Sequence, residues 1–179
     1  MTTPARFRRQ QWMAYDRRCA AALNRAATFR TFERVCCWAS RLGDGVLWYV
    51  LIALLPLFDG AEGRECALQM IAAGTVSLTV YWLLKQGVAR RRPYVVCPEI
   101  RLGGGRVLDE FSFPSGHMLH AAGFSCILVY HYPTLTFALI PIIVLIALSR
   151  VVLGLHYPSD VLGGAIIGAV SGLAAIWAL

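Results

Sequence analysis

Apolar runs broken by short polar stretches dominate the chain from about residue 40 onward. Five of these runs stand out: 44–58, 66–84, 117–130, 135–152 and 161–179. The first extends back to Cys36 if Arg41 and Asp44 are placed near its edge. Several fall short of the ~20 residues a spanning helix needs, which implies a thin or tilted bundle. Backbone groups in hydrocarbon must be satisfied within their own segment, so the runs predict helices rather than strands. Ahead of them, Trp12, Tyr15, Cys19, Ala22, Leu23 and Ala26 share one face at about 100° per residue. Arg17, Arg18 and Arg25 lie on the other face, the pattern of an amphipathic helix lying on a membrane surface. The pattern therefore predicts an all-α, integral membrane helical bundle of about five spanning helices with an N-terminal interfacial helix. Residues 1–40 form the interfacial segment and 41–179 the bundle of a single domain, 1–179.

The connections differ in character. Asp59–Glu65 is short and mostly acidic, and His131–Pro133 is a tight turn. The stretch from Lys85 to Pro114 is long and polar, with Arg90, Arg91, Arg92, Arg101, Arg106, the run Gly103–Gly105, Asp109 and Glu110. Long connections in packed domains are uncommon unless they carry function. The last connection, Gly154–Ser159, carries His156, with Asp160 just beyond. If five spans alternate sides, the N-terminal arginines, the 85–114 stretch and the 154–159 connection share one face.

Composition supports a membrane solvent. Hydrophobic residues make up 58% and charged residues 15%, against roughly 25% charged in an average soluble domain. A chain of 179 residues cannot hide that much apolar surface from water, and disorder requires low hydrophobicity. The net charge is +7, and every basic side chain except Lys85 is arginine. Basic residues gather at the edges of the apolar runs with no basic stripe interleaved with aromatics. Anionic lipid or phosphate is thus the expected partner, rather than nucleic acid. The arginine-rich start has no apolar core of signal-peptide length, so it does not read as a cleaved signal. Cys19, Cys36, Cys37, Cys66, Cys97 and Cys126 include no C-x-x-C and sit mostly in apolar runs. They read as small buried hydrophobes rather than a zinc site or a disulfide framework.

Three segments of the shared face carry chemistry. They are Lys85 through Arg92-Pro93, then Pro114-Ser115-Gly116-His117, then Ser149-Arg150 followed by His156 and Asp160. Fixed cations beside a helix N-terminus suit a phosphate dianion, with Ser115 and Gly116 as backbone donors and the Ser115 hydroxyl as another. A histidine near a carboxylate is the arrangement of an oriented nucleophile or base. Pro158 and Ser159 mark a helix start, with Ser159 as N-cap. Taken alone, Arg90–Arg92 read as positive-inside anchors, and His120 and His131 as structural.

These segments resemble the signature of the type 2 phosphatidic acid phosphatase family of lipid phosphate phosphatases: K-x6-R-P, P-S-G-H and S-R-x5-H-x3-D. Every position of the pattern is filled, over roughly residues 40–179. The small size and minimal loops resemble bacterial members. Two departures are Met118, which would reshape a pocket wall, and the absence of the extra N-terminal spanning helix of larger members. The resemblance implies a metal-independent hydrolase without cofactor. In it His156 attacks phosphorus, Asp160 holds the imidazole in its attacking tautomer, and His117 protonates the leaving oxygen. Lys85, Arg92 and Arg150 meet the phosphate oxygens, with Ser115 and Gly116. The implied substrates are membrane lipids bearing phosphate: polyprenyl pyrophosphates such as undecaprenyl pyrophosphate, phosphatidylglycerophosphate, phosphatidate or lipid A. Arg101 and Arg106 are candidates to grip a second phosphate. A non-catalytic lipid-binding or transport protein on the same fold is the alternative from another class; it would have lost His156 or His117. The expected location is the cell inner membrane. The positive-inside rule places the site on the cytoplasmic face, whereas many bacterial relatives work on the outer face.

Overall fold

A computed structural model describes residues 4–104, 107 and 109–179. Helix α1 spans Pro4–Asn24 and runs into a 3-10 turn at Arg25–Thr28. Helices α2 (Arg30–Leu42), α3 (Val46–Phe58), α4 (Gly60–Val88), the short α5 (Pro93–Val96), α6 (Gly116–His131), α7 (Thr136–Val152) and α8 (Pro158–Ala178) follow. Arg91 and Phe111 pair as a single isolated antiparallel bridge across the long connection.

The apolar runs become helices of unequal length. α4, the Pro133–Val152 unit and α8 are long and apolar enough to cross a membrane; α2 and α3 add a fourth span if counted together. That pair bends by 44° at the polar break Gly43-Asp44-Gly45. The third run, α6, has 16 residues, fewer than the ~20 of an average span. It packs on α4, α7 and α8 in the middle of the bundle.

Large apolar side chains point outward all round: Phe58, Phe137 and Trp177 are each more than four-fifths exposed. Lys85, Arg92, Arg150, His156 and Asp160 are buried. Polar groups inside and apolar groups outside is the arrangement an apolar solvent favours, and the chain is an integral membrane protein.

α6 and α8 meet backbone to backbone. Gly164, Gly168 and Gly172 fall four residues apart on one face of α8, the small-residue spacing that lets membrane helices approach closely. A Cβ on Gly168 would lie 2.0 Å from the Leu119 carbonyl oxygen, and one on Gly164 2.3 Å from that of Ser115. This contact holds the start of α6 against the start of α8.

α1 docks by a stripe of Asp16, Ala20 and Asn24, all buried. Asn24 donates to the carbonyls of Val152 (2.8 Å) and Arg101 (2.9 Å) and accepts from the Arg101 N–H (3.0 Å). Trp12 and Tyr15, members of the expected apolar face, stay outward and exposed. α1, the long connection and the 153–157 turn therefore meet at one end of the bundle. Tyr132 donating to Asp59 (2.6 Å) and His131 beside Gln69 (2.9 Å) tie the other end. All six cysteines are free, and Cys36, Cys66 and Cys97 are buried.

Candidate active site

Each site residue is delivered by a helix end. The last turn of α4 carries Lys85, and Ala89, in the left-handed region at φ 45°, turns the chain away. Arg92 precedes Pro93 and is extended (φ −68°, ψ 150°), the backbone a following proline demands. The last turn of α7 carries Arg150. Gly154 then takes φ 74°, and a Cβ there would lie 2.6 Å from the Arg101 carbonyl oxygen, so only glycine fits. The N–H groups of Leu155 and His156 both return to the Arg150 carbonyl at 3.1 Å. α8 opens at Pro158 with Tyr157 as its N-cap, not Ser159. The Asp160 carboxylate accepts the Tyr157 N–H at 2.8 Å, and the Ser159 hydroxyl is engaged by Asp16 instead. Ser115 caps α6, but its N–H donates to the Asp160 carbonyl (3.0 Å). That leaves first-turn amides such as that of Gly116 as backbone donors.

Lys85, Arg92, Arg150, Gly116, His117 and His156 line one cavity of about 150 Å³. Asp160 and Ser115 are buried and do not line it. His156 Nδ1 lies 2.7 Å from the Ser112 carbonyl oxygen. A carbonyl only accepts, so Nδ1 carries the proton and Nε2 keeps its lone pair. Nε2 is 3.2 Å from Arg92 Nη1. Asp160 Oδ2 is 3.9 Å from Nδ1, too far for a hydrogen bond. The imidazole is thus held by a main-chain carbonyl, with the carboxylate behind it as a nearby charge. Burial first, then Arg150, Arg92 and Lys85, push the His156 imidazole well below its usual pKa, so the ring is neutral at neutral pH.

Two acidic residues that sequence reasoning passed over sit in the same cavity. Asp44, in the α2–α3 break, places Oδ1 2.7 Å from His117 Nε2. Asp109 lies among the cations. Its Oδ1 is 2.7 Å from Lys85 Nζ and 2.9 Å from Arg92 Nη2, and Oδ2 accepts from the Tyr81 hydroxyl at 2.7 Å. Burial alone would raise the Asp109 carboxyl, but hydrogen bonds from Lys85 and Tyr81 and the Arg92 charge hold it below the ordinary range. Arg150 is paired differently. Nη1 donates to the Ser40 hydroxyl, while its buried Nε, like the buried Ser115 hydroxyl, has no hydrogen-bond partner among the described residues. Unpaired buried donors are rare; Arg150 lines the cavity, and Ser115 is next in sequence to Gly116, which does.

Other expectations resolve away from the cavity. Met118 packs in the core rather than shaping the pocket wall. Arg101 is half exposed and faces Glu33 at 3.5 Å; Arg106 lies outside the described residues. Arg90 is no free anchor, since it pairs with Asp16 and Asp160. His120, by contrast, lines the cavity and stacks on Phe124 with ring centroids 5.4 Å apart. Among the described residues no three His, Cys, Asp or Glu side chains converge as a metal site requires.

Residues 66–179 match the PAP2 superfamily. The chain belongs to the PAP2 superfamily. Within it, the lipid A 1-phosphatase of Rhizobium etli is 28% identical over 148 residues, covering 70% of this chain and 62% of that protein. The undecaprenyl-diphosphatase of Sulfolobus acidocaldarius is 27% identical over 139 residues, covering 77% and 66%. The chain thus spans less than two thirds of the length of these PAP2 relatives. The crystal structure of Aquifex aeolicus LpxE shares the PAP2 fold seen here, with a TM-score of 0.79 over 89% of this chain and 93% of that one at 24% identity.

Proposed function

We propose that this chain is a membrane lipid phosphatase, hydrolysing a phosphomonoester or pyrophosphate on a lipid head group through a phosphohistidine. One observation carries the reading. His156 is neutral, with Nδ1 tied to a carbonyl and an unprotonated Nε2 3.2 Å from Arg92, in a cavity that also holds Lys85, Arg150 and His117.

In the first step Nε2 of His156 attacks phosphorus and the bond to the leaving oxygen breaks. His117 supplies a proton to that oxygen. In the second step His117 takes a proton from water, the water oxygen attacks phosphorus, and phosphate leaves as His156 is restored. Lys85, Arg92 and Arg150 stabilise charge on the equatorial oxygens, with the free amides of the α6 N-terminus. The Asp160 charge supports the ring as it becomes cationic, and Asp44 anchors the His117 ring. Cations of the chain itself meet the phosphate charge, so the reaction proceeds without metal.

An amphiphilic substrate suits the surroundings. A cleft of about 280 Å³ lined by Ile52, Met70, Gly74 and Phe124 shares Tyr49 with the cavity. Lipid A 1-phosphate and undecaprenyl diphosphate, the substrates in the relatives' names, both place phosphate on a lipid tail. Arg101 faces Glu33, which removes its support for a second-phosphate grip, and the two head groups stand level. The site belongs in the inner membrane; by the N-terminal arginines it faces the cytoplasm.

The test is phosphate release in detergent from undecaprenyl diphosphate, lipid A 1-phosphate, phosphatidate and phosphatidylglycerophosphate. His156→Ala should lose at least ~10³-fold in turnover while staying folded. Near-normal release from that variant would refute the assignment. No turnover of any lipid phosphate by the wild type would favour a lipid-binding protein on this fold.

A further inference from the structure

Behind the nucleophile lies a charged chain of which the signature names only Asp160. Arg90 is its centre. One arm of the guanidinium, Nη1, donates to Asp160 Oδ1 and to the Ser159 hydroxyl, each at 2.7 Å. The other, Nη2, donates to Asp16 Oδ2 at 2.6 Å. Asp16 also accepts the Ser159 N–H at 3.1 Å through Oδ1, and the Ser159 hydroxyl donates to Oδ2. The Arg90 guanidinium carbon sits 3.8 Å over the Tyr157 ring. The main chain of Arg90 is engaged too. Its carbonyl accepts the Ser112 N–H at 2.7 Å and the Ser112 hydroxyl at 3.2 Å.

Both groups that face His156 Nδ1 therefore hang on this one residue. The Ser112 carbonyl, 2.7 Å from Nδ1, belongs to the residue held by the Arg90 carbonyl. The Asp160 carboxylate, 3.9 Å from Nδ1, is held by the Arg90 guanidinium. Asp16, buried on α1, fixes the far side of that guanidinium. The three charges sum to one negative charge beside a ring that turns cationic when Nε2 bonds to phosphorus. Partners that orient a metal ligand from behind change activity by about 10–100-fold, and orienting a nucleophile is the same kind of effect.

We propose that Arg90 and Asp16 are positioning residues for the nucleophile His156, making helix α1 part of the framework that aims it. The inference rests on the phosphohistidine reading above. Neither residue lines the cavity, so neither acts on the phosphate. They act by fixing Asp160 and Ser112, and by adding the charge that favours the phosphorylated ring. Arg90 uses two arms of a planar fork at once, which lysine cannot reproduce.

The experiment compares Asp16→Asn, Asp16→Glu, Arg90→Lys and Ser159→Ala with wild type. Three quantities are read for each: single-turnover formation of phosphohistidine, inhibition by inorganic phosphate, and melting temperature. Asp16→Asn should slow phosphorylation by ~10-fold while the inhibition constant for phosphate stays within about twofold, because Lys85, Arg92 and Arg150 are untouched. Asp16→Glu should recover most of the rate. Arg90→Lys should lose at least as much as Asp16→Asn, since the charge remains but the fork is gone. Ser159→Ala, which changes no charge, should cost about threefold and keeps the question open to refutation should a charge variant not fold. Wild-type phosphorylation in Asp16→Asn, or in Ser159→Ala where Asp16→Asn does not fold, overturns the proposal. So does a parallel loss of phosphate affinity and rate, which marks general loosening. Absence of phosphohistidine in the wild type is a different result: it removes the underlying phosphatase reading.

Discussion

Gly168→Ala is a strict test of how the site is assembled. The added Cβ would sit 2.0 Å from the Leu119 carbonyl oxygen and 3.0 Å from the Gly123 nitrogen, both backbone atoms that cannot rotate away. Carbon and carbonyl oxygen meet comfortably at about 3.3 Å, so α6 and α8 must part locally by roughly 1.3 Å. Overpacking of this kind costs about 1–3 kcal/mol. The displacement also reaches the chemistry. The first turn of α6 carries His117, and α8 begins just after His156. A misplacement of about 1 Å between catalytic groups can lower the rate by ~10²-fold. The control is Gly87→Ala, where a Cβ meets nothing within 4 Å; in a helix that change is neutral or stabilises by about 0.5–1 kcal/mol. The assay is the initial rate of phosphate release from a lipid phosphate in detergent, beside the melting temperature of each variant. Gly168→Ala with wild-type turnover and melting temperature would show that close backbone approach does not set the geometry.

Three further outcomes are expected. Asp44→Asn keeps the contact to His117 without the charge, and should slow a lipid phosphate, whose leaving group needs a proton, by ~10-fold. An activated aryl phosphate should be slowed far less, and equal loss on both would show that Asp44 does not act through His117. The His156 imidazole is depressed from 6.5 in the folded protein, so the unfolded state binds more protons as the pH falls below that value. Its contribution to stability is therefore present above about pH 6.5 and lost below it, and wild-type melting should fall more steeply between pH 7 and 5 than that of His156→Gln. Turnover should survive EDTA and be inhibited by vanadate if Lys85, Arg92 and Arg150 hold the phosphate as proposed; a strict Mg²⁺ requirement would contradict that role.

The helices and the cluster of Lys85, Arg92, His117, Arg150 and His156 were legible because both are written in spacing. Apolar runs of helical length and fixed intervals between unusual residues survive without knowledge of the fold. Asp44, Asp109 and Arg90 were not legible. Each is a common residue in a polar connection, and only the folded chain brings it to its partner. Ser112 was beyond reach for a stronger reason: it acts through its carbonyl, which every residue has. The four-residue step from His156 to Asp160 suggested direct contact, but the start of α8 turns that carboxylate to its own cap and to Arg90. The pattern of apolar runs also cannot distinguish a helix bathed in lipid from one, like α6, surrounded by other helices.

Asp109 changes what binding means at this site. Three buried cations facing an empty cavity would repel one another and hold any passing anion. Two of them instead already share a carboxylate. A phosphate arriving at Lys85 and Arg92 trades places with, or crowds beside, an anion tethered to the same chain. Capture is then an exchange, whose net gain is smaller than the bare charges imply. On the proposed phosphatase reading, the same tether would favour release of inorganic phosphate after hydrolysis, because Asp109 stands ready to reclaim the cations. Asp109→Asn should accordingly bind inorganic phosphate more tightly than wild type and let it go more slowly. An enzyme built this way would spend little of its cycle clogged by its own product.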